Sequence, residues 1–263
     1  DVAATVREAF HVARSGRPGP VLIDMTKDCQ QRACDFAWPE DAAPERQRPD
    51  LRPGDAELSR AVDLIHQAKR PLILAGNGII ASGASELVRQ FAEHADIPIA
   101  MTLLGIGGVP ASHPLNLGMM GMHGEAWVNT SIQEADLLIA LGMRFDDRVT
   151  GNVKTYALNA KKIHLEIDRS EINKNVKVDV GLVGDVGQML RTLQPRIEPG
   201  NHAAWRAHID GLKKEYEQLS ADGFRVLAIA SKDIEPRGVV AGDATPYSKA
   251  DECDLILNGY AAF

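Results

Sequence analysis

The sequence predicts an α/β fold in which helices cover both faces of a parallel sheet. From residue 55 onward, apolar segments of strand length alternate with amphipathic helical patterns. The apolar segments are continuous, without the alternation typical of a strand with one face in water, so each strand is expected to be buried on both faces. Ahead of this region, residues 35–54 carry four prolines among charged residues and predict an extended linker between domains.

The individual elements follow in chain order. An apolar pattern from Val2 to Ala13 predicts a first helix, and residues 21–25 predict a short buried strand after a break of glycines and prolines. Asp55 is expected to cap the next helix, and Ser82 to open the one after it. Strands are predicted at 72–75, 97–100, 137–141, 162–168 and 180–183, helices at 125–134 and 185–192, and a Gly- and Met-rich loop at 101–124.

Composition narrows the classes of function. The 263 residues carry a formal net charge of -7, which disfavours binding to nucleic acid, and no stretch reaches the roughly 18 apolar residues of a membrane span. The three cysteines form neither a disulfide framework nor a zinc pattern, so a reducing cytoplasm is the expected location. No histidine pair typical of a metal site and no nucleophile triad is present, so we predict no catalytic and no metal-binding residue.

Small or acidic residues follow the predicted strands, at the edge where ligands bind in a parallel sheet. Gly76, Asn77 and Gly78 would let a phosphate or ribose approach the backbone, although they also fit a simple turn and lack the dinucleotide-binding spacing. Glu166 and Asp168 could accept hydrogen bonds from ribose hydroxyls or stand at a helix N-terminus. Asp185 fits a helix cap better than a ligand contact.

Two further segments bring polar or polarizable side chains to this edge. Residues 144–148 place four charges after a buried strand, which suits a diphosphate but also a solvated network of ion pairs. Residues 118–124 combine three methionines and His123 with glycines, so their backbone could approach a ring system. Methionines of this kind also serve as core filler.

Several segments between residues 75 and 186 resemble one family. They include LGMMGMHG at 117–124 and GMRFDDRVTG at 142–151, together with 75–78, 101–105, 164–168, 171–175 and 184–186. These resemble the central domain of the catalytic subunits of acetolactate synthases, also called acetohydroxyacid synthases, which are thiamine-diphosphate enzymes. Residues 9–28 are similar to the end of the family's pyrimidine-binding domain. The resemblance implies a pyrimidine-domain end at 1–34, the linker at 35–54, a Rossmann-like FAD-binding domain at 55–196, and a connecting helix at 197–218.

The resemblance also implies which residues bind FAD, which is structural in this family and takes no part in net redox chemistry. Met122, His123, Asp147 and Arg148 are implied to lie toward the substrate channel. The implied FAD contacts are Gly76, Asn77, Gly78, Thr102, Leu103, Met120, Gly121, Met122, His123, Gly142, Met143, Arg144, Phe145, Asp146, Glu166, Ile167, Asp185 and Val186.

The family's reaction depends on other cofactors and partners. Thiamine diphosphate, anchored by Mg²⁺, decarboxylates pyruvate and passes the product to a second 2-keto acid in branched-chain amino-acid biosynthesis. The thiamine-activating glutamate and the Mg²⁺ motif are implied to lie outside this chain, so we expect no catalysis by the chain alone. The resemblance implies a homo-oligomer and a small regulatory subunit for the complete enzyme. Met25, Thr26 and Asn77 differ from the family's usual residues.

The tail, residues 219–263, has a different character. Strands are predicted at 222–230 and 251–260 with a loop at 235–246, and these segments resemble the end of the nucleotide-binding domain of magnesium-transporting P-type ATPases. We therefore expect a fusion with its join near 217–221. Three functions stay open: a fragment of an acetolactate synthase, a non-catalytic nucleotide-binding module of the same fold, and a P-type ATPase fragment with an unrelated leader. The extent of the resemblance favours the first over the third.

Overall fold

A six-stranded parallel sheet forms the centre of the molecule. The computed structural model describes residues 2–35, 53–221, 226–231 and 256–262. The strand order is β3-β2-β1-β4-β5-β6, and each neighbouring pair is parallel. The predicted fold class is therefore confirmed. The strands are β1 (Pro71–Ala75), β2 (Ile99–Met101), β3 (Asn116–Met119), β4 (Leu137–Leu141), β5 (Lys161–Glu166) and β6 (Val180–Val183).

Helices lie on both faces of this sheet. Their bounds are α1 (Val2–Arg14), α2 (Lys27–Gln31), α3 (Asp55–Gln67), α4 (Asn77–Ala81), α5 (Ser85–Ala95), α6 (Ala126–Glu134), α7 (Asp147–Thr150), α8 (Val186–Leu193) and α9 (Ala203–Ala221). Short 3₁₀ turns cover Leu103–Gly105, Arg169–Glu171 and Gln194–Arg196.

Two hydrophobic cores explain why the strands are apolar throughout. Successive side chains of a strand point to opposite faces, so Ile73 packs in a core with α3, α5 and α8, while Leu72 and Leu74 pack in a core with α6 and α9. All five residues of β1 and all five of β4 are buried. Burying each large aliphatic side chain contributes about 1.5–3 kcal/mol, which stabilises this central pair of strands.

Three local predictions were wrong. Residues 21–25 form no strand, and Leu22 is 92% exposed, because no described strand lies beside them to accept their hydrogen bonds. Ser82 ends α4 instead of opening a helix, since its hydroxyl donates to the Gly78 carbonyl at 2.7 Å. Asp55 is the first residue of α3, whose cap is Gly54, and its carboxylate pairs with Arg196.

Strand β3 was missed within the predicted loop at 101–124. Its four residues are only half-buried and include Gly118, so no continuous apolar run marks them. Most of the segment 197–218, predicted as a connecting helix, is helical as part of α9, and its connecting role stays a prediction. In the tail, β7 (Val226–Ser231) and β8 (Ile256–Ala262) pair antiparallel and overlap the predicted strands. The loop at 235–246 and residues 36–52 of the predicted linker lie outside the described residues.

Candidate cofactor site

A cavity of about 610 Å³ opens at the carboxyl edge of the sheet. It lies where β1 and β4 meet, with β2 and β3 on one side and β5 and β6 on the other. The order of strands reverses at this junction, and the connecting segments leave in opposite directions, which creates a crevice suited to a ligand. Its volume falls within the range of roughly 300–1,000 Å³ that small-molecule and cofactor sites occupy.

Twelve of the residues that the resemblance implied for FAD line this cavity. They lie at or just after the ends of five different strands, β1, β2, β4, β5 and β6. The structure thus brings together residues that are more than a hundred positions apart. They are Asn77, Gly78, Thr102, Leu103, Gly142, Met143, Arg144, Asp146, Glu166, Ile167, Asp185 and Val186.

Two glycines form the floor between β1 and β4. The Gly78 N–H donates to the Gly142 carbonyl at 2.8 Å, and Gly142 has φ +56, a conformation that strongly favours glycine. A Cβ on Gly78 would lie 2.5 Å from the Gly142 Cα. Because neither position has room for a side chain, the backbone itself faces the cavity, and a phosphate or sugar can approach it closely.

Arginines supply positive charge around the cavity. Arg144 and Arg148 follow β4, and Arg14 and Arg17 reach the cavity from the end of α1 and the turn after it. The Arg17 guanidinium lies 3.6 Å from the buried carboxylate of Glu171, which joins this turn to the segment after β5. Arginine is suited to phosphate groups because its fork can donate two parallel hydrogen bonds.

Arg14 and Arg17 were not among the predicted site residues. They lie some sixty residues before Gly76, the first of the predicted site residues, in a segment that was assigned to another domain. The only local signal is a basic residue on each side of Gly16, next to Pro18. Their place in the cavity wall depends on tertiary packing, which this pattern does not reveal.

The acidic residues divide into a buried acceptor and two caps. The Glu166 carboxylate accepts from the N–H groups of Ile167 at 3.0 Å and Asp168 at 3.3 Å, and burial raises its pKa. Asp168 caps the following 3₁₀ turn, and its hydrogen bonds with Ser170 lower its pKa. Asp185 caps α8 by accepting from the Gln188 N–H at 3.0 Å, as its sequence context favoured, and it also lines the cavity.

The remaining implied FAD residues lie outside the cavity lining. Phe145 is packed in the core with its ring edge-on to Tyr156, and Met120 is buried. Gly76 and Gly121 are buried. Met122 and His123 are exposed.

Of the four residues implied to lie toward the substrate channel, one lines the cavity. Arg148 is part of the cavity wall, whereas Asp147 is 81% exposed at the start of α7. The Arg148 Nη1 lies 3.4 Å from the Met122 sulfur, and the Met122 N–H donates to the Arg148 carbonyl at 2.8 Å. These contacts connect the exposed loop at 121–124 to the cavity wall.

The residues present fit a flavin dinucleotide. The glycine floor and the arginines suit a diphosphate, Glu166 is placed to accept from ribose hydroxyls, and Met143 and Leu103 offer apolar surface to a ring.

Neither a metal site nor a membrane span is found in the described residues. Within the described parts of the chain, no cluster of three or more His, Cys, Asp or Glu side chains could hold a metal ion. None of the described helices is long and apolar enough to cross a bilayer.

Comparison with known proteins matches the chain to one family model and to several relatives. The family model described as "Thiamine pyrophosphate enzyme, central domain" matches residues 58–193. An acetolactate synthase large subunit of Corynebacterium glutamicum is 40% identical over 252 residues, which cover 91% of this chain and 40% of that protein. An acetolactate synthase of Mycobacterium leprae is 42% identical over 222 residues, covering 82% of this chain and 36% of that protein.

A third relative covers a similar share of the chain. The acetolactate synthase large subunit of Parasynechococcus marenigrum is 40% identical over 255 residues, which cover 92% of this chain and 41% of that protein. Alignments that cover 91–92% of the chain must continue beyond 217–221, where a join was predicted. The predicted fusion is therefore not shown, and the resemblance of residues 219–263 to a P-type ATPase is not supported. The chain spans about two fifths of the length of these relatives.

Proposed function

This chain belongs to the thiamine pyrophosphate enzymes through their central domain, and we propose that it is the FAD-binding portion of an acetolactate synthase large subunit. The cavity at the β1–β4 junction carries this proposal. Its glycine floor and its arginines match the charged diphosphate of a flavin dinucleotide, and its buried carboxylate matches a ribose.

Each part of the cavity has a separate task in this proposal. Gly78 and Gly142 let the diphosphate approach the backbone, and Arg17 and Arg144 neutralise its charge. Glu166 orients a ribose hydroxyl by accepting a hydrogen bond. The flavin itself supplies a flat ring system that fills and stiffens the site, in keeping with a structural cofactor.

Binding of FAD to the purified chain tests this proposal directly. We expect the protein to retain yellow flavin absorbance or to bind added FAD in a calorimetric titration, with weaker binding of FMN and of ADP, each of which fills only part of the cavity. Absence of binding at tens of micromolar FAD would contradict the proposal. Riboflavin, which lacks phosphate, is the control for nonspecific uptake of the ring.

The activity of the whole protein is a second part of the proposal. We propose that the full-length protein condenses pyruvate with a second 2-keto acid, using thiamine diphosphate and Mg²⁺, as an oligomer with a small regulatory subunit. The 263-residue chain supplied with pyruvate and all cofactors should form no acetolactate, whereas the full-length gene product should. A full-length protein that binds FAD but forms no acetolactate would favour the non-catalytic nucleotide-binding module.

A further inference from the structure

A buried histidine lies directly behind the cavity wall. His164 on β5 is fully buried, and its ring meets that of Phe145 edge-on with centroids 5.1 Å apart. Its Nε2 lies 2.7 Å from the carbonyl oxygen of Met143, a residue that lines the cavity. The contact joins the middle of the sheet to the segment that leaves β4.

The geometry determines which nitrogen carries the proton. A carbonyl oxygen can only accept, so Nε2 must donate. Burial lowers the pKa of His164 and keeps the ring neutral, which leaves Nδ1 as an acceptor. No described residue donates to that buried Nδ1. An unsatisfied buried acceptor destabilises the folded state, so the imidazole is less favourable for stability at this position than an apolar side chain of similar size.

The hydrogen bond also fixes the peptide that follows. Gly142 makes the last sheet hydrogen bond of this segment, donating to the Leu165 carbonyl at 2.9 Å. A trans peptide is planar, with its C=O and N–H pointing in opposite directions. The Met143 carbonyl is directed at His164, so the N–H of Arg144 points away from it. No described residue accepts from that N–H, and both Met143 and Arg144 line the cavity.

We propose that His164 is a positioning residue for the cofactor cavity: it holds the Met143–Arg144 peptide so that the Arg144 N–H donates to an anionic or carbonyl oxygen of the bound flavin nucleotide. The inference rests on the proposed function, because the acceptor belongs to that ligand. In this proposal His164 does not contact the ligand and affects its binding through the Met143–Arg144 peptide.

Two substitutions separate positioning from packing. In the His164→Gln variant, the amide group places an N–H donor near the position of Nε2. In the His164→Leu variant, the side chain fills the site without a donor. We expect His164→Leu to weaken FAD binding about tenfold, equivalent to one hydrogen bond, and His164→Gln to stay within about threefold of the wild type. Thermal unfolding without FAD reports whether each variant is folded.

The amide of Arg144 provides a second readout in the wild-type protein. Its ¹⁵N–¹H resonance should shift and its hydrogen exchange should slow when FAD is added. An Arg144 amide that does not respond, or a folded His164→Leu variant with wild-type affinity, would overturn the inference while the proposed function stands. A wild-type chain that binds no FAD would overturn both. If His164→Leu does not fold, the amide readout alone decides.

Discussion

The side chain of Asn129 hydrogen-bonds both backbone groups of Gly121. Its Oδ1 accepts from the Gly121 N–H and its Nδ2 donates to the Gly121 carbonyl, each at 2.9 Å. Gly121 has φ +98, and a Cβ there would lie 2.5 Å from the Arg148 carbonyl oxygen. A single side chain on α6 therefore fixes the start of the loop that contains Met122 and His123, at a point where the loop lies close to Arg148.

Substitution Asn129→Asp should reveal this double contact through pH. One carboxylate oxygen can still accept from the Gly121 N–H, but the other faces the Gly121 carbonyl and repels it. At pH 7 we expect a loss of about 1–3 kcal/mol in the free energy of unfolding. The repulsion raises the folded-state pKa of the new carboxyl, so the loss should shrink as pH falls and vanish below the unfolded value of about 3.9.

Urea unfolding between pH 4 and pH 7 measures this effect. Asn152→Asp is the matched control, because Asn152 uses only its Oδ1, as an acceptor from the Lys154 N–H, and an aspartate preserves that bond. Equal pH profiles for the two variants would refute the assigned double contact.

A methyl group on the cavity floor should disrupt the site. We expect Gly78→Ala to lower stability by about 1–3 kcal/mol and to abolish FAD binding, because the new Cβ would meet the Gly142 backbone at 2.5 Å. Gly142→Ala should be at least as harmful, since its φ of +56 is also unfavourable for alanine.

The control for these substitutions lies in a helix. Gly211 in α9 has no atom within 4 Å of an added Cβ, so Gly211→Ala should stabilise by about 0.4–1 kcal/mol. Thermal denaturation and FAD titration of all three variants make the comparison. Wild-type FAD affinity in Gly78→Ala would show that the floor can relax.

The parts of the fold that could be predicted are those with a strong local pattern. β4 (Leu137–Leu141) was recognisable because burial on both faces requires apolar residues at every position. Residues 21–25 have a similar apolar composition yet form no strand, since a strand also needs a neighbour, which composition does not reveal. Gly142 was implied for the site by motif resemblance and lines the cavity. Arg17 was missed because only tertiary packing brings it to the cavity.

Removing the charge of Arg17 should weaken FAD binding with little effect on stability. The side chain is 47% exposed, and its partner Glu171 keeps an ion pair with Lys174 at 2.8 Å, so we expect Arg17→Met to change stability by less than about 1 kcal/mol. Affinity for FAD should fall by about three- to tenfold, and its dependence on salt should become weaker.

Titrations at low and high salt test this expectation. Arg196→Met is the control, because Arg196 pairs with Asp55 away from the cavity and should leave both affinity and salt dependence unchanged. An Arg17→Met variant with the salt dependence of the wild type would exclude a contact between Arg17 and the diphosphate.

Glu166 should favour ligand binding at the expense of stability. Burial raises its folded-state pKa above the ordinary 4.5, so the ionised carboxylate destabilises the fold at neutral pH, and this cost disappears as pH falls through the raised pKa toward 4.5. Without FAD, Glu166→Gln should be more stable than the wild type at pH 7 and equal to it at pH 4. Its affinity for FAD should be about tenfold lower, since a neutral amide is a weaker acceptor for a hydroxyl.

Unfolding curves at both pH values and a FAD titration measure the two effects. As a control, Glu57→Gln on the exposed surface of α3 should change neither the stability at either pH nor the affinity for FAD. A Glu166→Gln variant that is less stable at pH 7 would contradict the assigned cost of burying the charge.

The central strand pair has a consequence for how the chain folds. Pro71 in β1 pairs with Leu137 in β4, so the middle of the sheet joins segments that are distant in sequence. Such non-local pairing slows folding, because a long loop must close before the contact forms. During synthesis, β1 to β3 emerge first, but a nascent chain ending before residue 137 has no β4 and no Gly142 to oppose Gly78. Under the proposed function, we therefore expect FAD to bind only after the second half of the sheet has left the ribosome.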